Sequence, residues 1–311
     1  MTGTPDYDSL IDAETWAFIR DTAKYYPEDA VELSIEDQRR VYDEMCRAFH
    51  QGYPDGVKVE DLDANGVPVR VYSAGQPTVN VVYYHGGGFV VGGLESHDDV
   101  CAELHANTGY RVIAVDYRLA PEHKHPAAFE DSWTATEWVA ARYEGDLVLC
   151  GDSAGGMLAA GVAHHARGRL DRVVGQVLIY PGVGGDLDAG SFVTHANAPM
   201  LTRDDILFYE KVRCDGPPPS GDYTYRPLED PDFAGLPPTV VYTAECDPIA
   251  DGGREYVERV READGRAEWV LEHGLVHGYL RGRTTVTRAR DSFERIVLAV
   301  EALGQGLWPY G

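Results

Sequence analysis

A serine hydroxyl becomes a nucleophile only when a base takes its proton and a third group orients that base. In this chain the segment Gly151-Asp152-Ser153-Ala154-Gly155-Gly156 follows the apolar run at 146–150 and precedes the small apolar residues 157–163. A strand that turns sharply into a helix with one hydroxyl at the apex needs small residues on both sides of that hydroxyl, because a Cβ there clashes in the turn. Ser153 is therefore the candidate nucleophile; the alternative is a glycine-rich turn whose serine only caps a helix. A second segment, His85-Gly86-Gly87-Gly88-Phe89, comes directly off the run ending at Tyr84. Consecutive glycines free backbone N–H groups to point at a developing oxyanion, although a flexible glycine loop has the same composition. The base is expected in a loop after a late strand, where His273 and His277 both follow the run 267–271. For the orienting carboxylate, Glu245, Asp247 and Asp251 all lie just past the strand ending at Thr243, and the local pattern does not separate them.

These groups must be held by ordered elements. Residues 12–51 are expected to form two helices, with Trp16, Ile19 and Ala23 on one face of the first and Val41, Met45, Ala48 and Phe49 on one face of the second. From residue 57 the period becomes two: 57–63 and 67–72, joined by Asn65-Gly66, form a hairpin pattern. The runs at 80–84 and 111–116 are nearly continuous in apolar residues, as strands buried on both faces of a parallel sheet are. Helices are expected at 98–107, 127–142, after Ser153 to about 168, 253–263 and 284–303, and strands at 146–150, 175–180, 239–243 and 267–271. The Gly- and Pro-rich stretch 181–236 interrupts this alternation with one convincing helix, 203–212, and suits a lid or binding region. Strands alternating with helices predict an α/β fold with a mostly parallel sheet, led by an antiparallel hairpin.

Composition bounds the partners. A chain of 311 residues with 44% hydrophobic residues can bury the core of one α/β domain with room for a cap. A formal charge of −24 argues against nucleic acid or an anionic membrane surface as a partner. The five cysteines are scattered, with no C-x-x-C pair, which suits reduced thiols better than disulfides or a zinc site. The stretch Met1–Ser9 has no apolar signal-like segment, and no run approaches the roughly 18 apolar residues of a membrane span. A cytoplasmic enzyme without a metal or other cofactor is the expectation. The pairs His123/His125 and His164/His165 lack accompanying ligand residues at metal-binding spacing.

The motifs His85-Gly86-Gly87-Gly88-Phe89, Asp116 to His123, Gly151-Asp152-Ser153-Ala154-Gly155-Gly156, Asp247-Pro248 and His277-Gly278-Tyr279 closely resemble the signatures of the hormone-sensitive-lipase-like bacterial carboxylesterases, an α/β-hydrolase family. The resemblance runs from about residue 57 to the C-terminus, and the order Ser, acid, His agrees with it. It implies an α/β-hydrolase fold, with a mostly parallel eight-stranded sheet flanked by helices beneath a helical cap. It implies Ser153 as nucleophile, Asp247 as orienting acid and His277 as general base, with the N–H groups of Gly87, Gly88 and Ala154 forming the oxyanion hole. Residues 1–55 and 185–236 correspond to the family's cap, and 56–184 with 237–311 to its catalytic domain. Phe89, Met157, Phe208 and Val276 are expected at the substrate pocket. The Asp116 to His123 motif is expected to brace the glycine loop, and Asp152 to be a support residue. Where the family usually carries Asn, this chain has Met157.

The implied reaction is hydrolysis of a small-molecule ester of short to medium acyl chain through an acyl-enzyme. An amidase, a lactonase, a biosynthetic cyclase or dehydratase on the same site, and a non-hydrolytic small-molecule receptor are the alternatives. A receptor on this fold is expected to have lost a triad residue, and all three residue types are present. Homodimers are common in the family, and the sequence carries no independent sign of one.

Overall fold

The computed structural model describes residues 5–310, so the first four residues of the acidic N-terminal stretch and the outermost residues of the segments 1–55 and 237–311 lie outside the described residues. An N-terminal layer carries α1 (Tyr7–Leu10), α2 (Ala13–Thr22) and α3 (Ile35–Phe49). The side chains of Asp12 and Ser34 accept from the N–H groups of Thr15 and Asp37, which satisfies otherwise orphaned donors and starts α2 and α3. The sheet opens with the hairpin β1 (Lys58–Ala64) and β2 (Val67–Ser73). Its turn places Asn65 and Gly66 at φ of 58° and 97°, the paired positive values that a tight two-residue hairpin demands. Alternation follows: β3 (Val79–Tyr84), α4 (Asp98–Thr108), β4 (Arg111–Val115), α5 (Ala127–Arg142), β5 (Asp146–Asp152), α6 (Ala154–Ala166) and β6 (Val173–Ile179). A long excursion holds α7 (Gly190–Thr194) and α8 (Arg203–Arg213) before β7 (Thr239–Cys246), α9 (Ala250–Glu262), β8 (Ala267–Val276) and α10 (Thr287–Gly304).

The eight strands among the described residues form one sheet in the order β1-β2-β4-β3-β5-β6-β7-β8. β2 pairs antiparallel with β1 and with β4, and every pairing from β4 through β8 is parallel. Alternate residues of the central strands feed two cores. Val81, Tyr83, Val148, Cys150, Val177 and Ile179 pack with α4 and α10 on one face. Val82, Tyr84, Leu147, Leu149 and Leu178 pack with α5, α6 and α9 on the other. Covering both faces explains the unbroken apolar runs. It also leaves the carboxyl ends of β3, β5, β7 and β8 side by side along one rim, where open α/β sheets place their ligands.

Three local expectations need correction. β8 does not stop at Leu271 but runs to Val276, because β7 also continues to Cys246 and pairs with it past an irregularity between Ala244 and Cys246. Cross-strand pairing overrides the loop-like composition of Glu272-His273-Gly274. On α2 the buried residues are Thr15, Phe18, Ile19 and Thr22; Trp16, Ile19 and Ala23 do share a side, but that side looks into a cavity. On α3, Ala48 is exposed and Gln38, Tyr42 and Cys46 are buried instead, a rotation of about one residue in the helical phase.

Two histidines are buried in neutral form, His85 at the base of the glycine loop and His164 on α6. Burial pushes His85 down to about 4, and burial likewise pushes His164 to about 4, even though its Nδ1 lies 2.7 Å from Asp230 Oδ2. The unfolded chain therefore binds more protons than the folded one between about pH 6.5 and pH 4. Stability should be full above that window, fall through it by on the order of 3 kcal/mol per histidine, and level off below it as far as these two groups are concerned. Urea midpoints at pH 7.5, 6 and 4.5 check this, and a His164→Asn variant should show a shallower decline. Equal midpoints in wild-type protein across the window would contradict neutral burial.

Candidate active site

Ser153 sits between β5 and α6 at φ 55° and ψ −118°, a conformation that costs a residue with a Cβ and survives only where its surroundings enforce it. The surroundings do so through close backbone approach. A Cβ on Gly155 would run into the Tyr84 carbonyl at the end of β3, and one on Gly151 into the Gly155 carbonyl. The turn is held from below by Ser153 N–H donating to the Ile179 carbonyl at 2.8 Å. The result lifts the Ser153 side chain to the rim.

There the structure separates the candidates that the sequence left level. His277, the first residue past β8, places Nε2 2.9 Å from Ser153 Oγ and Nδ1 2.7 Å from Asp247 Oδ2. His273 lies within β8, exposed, with Nδ1 3.4 Å from Glu245. Asp247, the first residue past β7, is fully buried, and its other oxygen accepts from Ile249 N–H at 3.0 Å. Glu245 accepts instead from Gly274 N–H, and Asp251, on α9, from Ser191 N–H. Only Asp247 is in reach of an imidazole that also reaches Ser153.

The glycine loop is pinned to the same turn. Asp152 Oδ1 accepts from Tyr83 Oη at 2.8 Å and from Gly86 N–H at 3.0 Å, and His97 Nε2 lies 3.2 Å from the same carboxylate. Burial pushes the Asp152 carboxyl up, but His97, the Tyr83 hydroxyl and the charge of Arg281 outweigh it and hold the group well below the usual carboxylate range. Tyr117 donates to the His85 carbonyl at 2.7 Å and stacks on the His85 ring at 4.2 Å, while Ala120 N–H donates to the Phe89 carbonyl. Beyond these anchors Gly87 and Gly88 take φ of 127° and 59°. A Cβ on Gly88 would strike the Tyr209 ring. The N–H groups of Gly87, Gly88 and Ala154 donate to no other protein group among the described residues. Three free donors beside a serine hydroxyl and an imidazole can hold a negative oxygen.

Above them lies a cavity of about 570 Å³, lined by Ser153 and His277 and by the loop Gly87–Phe89. Its roof comes from two distant segments: Trp16, Ala23 and Tyr26 from the N-terminal layer, and Ile206, Tyr209 and Arg213 from α8. These segments touch, with Tyr26 Oη 3.4 Å from Tyr209 Oη and Tyr7 Oη 3.2 Å from His195 Nδ1. Phe89 and Met157 line the cavity as expected, but Phe208 and Val276 do not. On α8 the face turned inward carries Asp205, Ile206, Tyr209, Glu210 and Arg213, and Phe208 falls outside that stripe. Val276 is the last residue of β8 and points into the core packed against α10. The sequence reading missed Arg213, Arg281 and Tyr209; the helical phase of α8 carried the signal for the first and last. The paired histidines have local partners, His125 with Asp222, His164 with Asp230 and His165 with Tyr223.

A family model described as an alpha/beta hydrolase fold matches residues 81–281. Carboxylesterase NlhH of Mycobacterium tuberculosis is 39% identical over 251 residues, covering 76% of this chain and 78% of that protein. Esterase LipI of the same organism is 35% identical over 298 residues, 88% of this chain and 91% of its own. Among solved structures, a hyperthermophilic esterase from the archaeon Pyrobaculum calidifontis superposes with a TM-score of 0.86 at 31% identity, over 94% of this chain and 99% of that one. No helix among the described residues is long and apolar enough to cross a membrane.

Asp152→Asn keeps one acceptor but loses the charge that several donors address. It should lower stability by about 1–3 kcal/mol, read as a drop in the urea midpoint at unchanged slope. An unchanged midpoint would mean that the loop is anchored elsewhere.

Proposed function

This chain belongs to the α/β-hydrolase family, in its hormone-sensitive-lipase-like branch of carboxylic ester hydrolases, and we propose that it cleaves short- to medium-chain esters through an acyl-enzyme on Ser153, His277 and Asp247. The observation that carries this reading is the relay of 2.9 Å and 2.7 Å from Ser153 Oγ through His277 to a fully buried Asp247, beside free backbone donors that line the same cavity.

In the first half-reaction, neutral His277 takes the Ser153 proton at Nε2 as Oγ attacks the ester carbonyl. The carbonyl oxygen gains the negative charge and is held by the N–H groups of Gly87, Gly88 and Ala154. Asp247, accepting from Nδ1–H, keeps Nε2 free as the base and stabilises the imidazolium that forms. The imidazolium then protonates the departing alkoxide, leaving the acyl group on Ser153. Water, activated by the same imidazole, reverses the sequence and releases the acid. Residues 5–55 and 185–236 act as a cap: they meet over the site and set the space available to the acyl and alcohol groups. A cavity of about 570 Å³ suits a ligand of modest size. A non-hydrolytic receptor finds no support, since no member of the relay is missing.

Ser153→Ala should lower kcat on p-nitrophenyl acetate or butyrate by at least about four orders of magnitude, and Asp247→Asn by about 10⁴-fold with little change in KM. An organophosphonate should label Ser153 stoichiometrically in wild-type protein, as read by intact mass. Undiminished turnover in Ser153→Ala would overturn the assignment.

A further inference from the structure

Among the described residues, the buried and half-buried charged groups that line the cavity are, apart from Arg213, engaged by hydrogen bonds or ion pairs. Asp152 is bound by Tyr83, Gly86 and His97. Asp205 closes a capping box with Thr202 at the start of α8. Glu210 is ion-paired with Arg226, which also reaches Glu229. Arg281 donates to Tyr42 Oη at 2.7 Å and to Cys46 Sγ, and its charge acts on the buried Asp152. Glu28 sits exposed at the cavity's edge.

Arg213 differs. It ends α8, is 5% exposed and faces the cavity. Its guanidinium lies between the rings of Phe89 and Tyr225, with centroids 3.6 Å and 4.1 Å away. Of its five N–H donors, one reaches an acceptor, the Met157 thioether at 3.3 Å, and a thioether is a weak one. It forms no ion pair among the described residues. Burial pushes its guanidinium down to about 10, so it remains a cation at neutral pH. The two rings and the carbonyl end of α8 offer partial negative charge, but neither fills the planar fork of donors that matches a carboxylate. The charge of Glu210 also acts on Arg213, but that carboxylate is ion-paired with Arg226; a buried charge with no ion pair of its own is costly, and the open side of this one is the substrate cavity.

We propose that the cavity is built for esters that themselves carry a carboxylate, such as half-esters of short dicarboxylic acids, with Arg213 receiving that carboxylate while the ester carbonyl lies at Ser153. This rests on the esterase reading above. A short linker suits the arrangement, because Ser153 and Arg213 line one cavity and Met157, which touches Arg213, lies four residues after Ser153, about 6 Å of helix rise. The selectivity is local, because a chain with a net charge of −24 repels anions at a distance.

The test measures binding apart from turnover. Calorimetry on full-length Ser153→Ala protein at pH 7.5 compares monoethyl glutarate with diethyl glutarate, placing the carboxylate on the acyl side. It also compares butyryloxyacetate with its methyl ester, placing the carboxylate on the alcohol side. At least one anionic ester should bind about tenfold or more tightly than its neutral partner, and the pair that shows the preference identifies the side. Adding Arg213→Met should abolish the preference, and Arg213→Lys should restore part of it. Neutral esters binding as well as the anionic ones in both pairs would overturn the proposal, whether or not the Arg213 variants fold. So would a preference that survives Arg213→Met. Turnover of p-nitrophenyl acetate by wild-type protein reports separately on the esterase reading.

Discussion

The buried carboxylate of Asp152 is the interaction on which the rim of the sheet depends. It stands at the last position of β5, directly before the strained serine, yet its donors come from other parts of the chain: Tyr83 from β3, Gly86 from the glycine loop and His97 from the start of α4. Without them, removing this charge from water would be prohibitive. With them, the carboxylate ties the turn that presents Ser153 to the loop that presents Gly87 and Gly88, so the positions of hydroxyl and N–H groups are coupled. Close packing of Gly155 against the Tyr84 carbonyl adds a steric stop to the same junction. Preorganisation of this kind is what makes fixed dipoles effective, because little reorganisation remains when charge develops.

The chain is strongly acidic, with 51 acidic residues against 27 basic ones, while the walls of the cavity carry Arg213, Arg226 and Arg281 beside carboxylates that are mostly engaged. Arg226 is ion-paired with Glu210, and Arg281 hydrogen-bonds Tyr42 and acts on the charge of Asp152. The third is held by aromatic faces, which stabilise a cation without neutralising it. A buried cation with no ion pair of its own is costly, so its place in the wall of the cavity is best understood through what the cavity receives. Met157 belongs to the same feature: a soft thioether lies against the guanidinium and leaves most of its donors unclaimed.

The roof of the cavity shows how distant segments become one surface. Tyr26 follows the first helices of the chain and Tyr209 lies on α8, yet their hydroxyls approach to 3.4 Å. Tyr209 also covers Gly88 so closely that no side chain fits beneath it. Shape at the pocket is therefore set by contacts between parts of the chain separated by more than a hundred residues.

Much of this was legible in the sequence because it is governed by local rules. Two-residue turns need positive φ, so Asn65-Gly66 marks the hairpin; strands buried on both faces must be apolar throughout, so the runs 80–84 and 111–116 declare themselves; a strained elbow excludes Cβ atoms, so the glycines around Ser153 do the same. The family motifs then singled out Asp247 and His277 from neighbours that local pattern left equal. What the sequence could not decide depends on where elements meet. Pairing with β7 carried β8 on to Val276 and put His277, not His273, at its end. The helical phase of α8 over the cavity turned Arg213 inward and left Phe208 outside. Whether a buried arginine finds a carboxylate is a property of three-dimensional neighbours alone, since charge interactions depend on distance in space and not on separation along the chain.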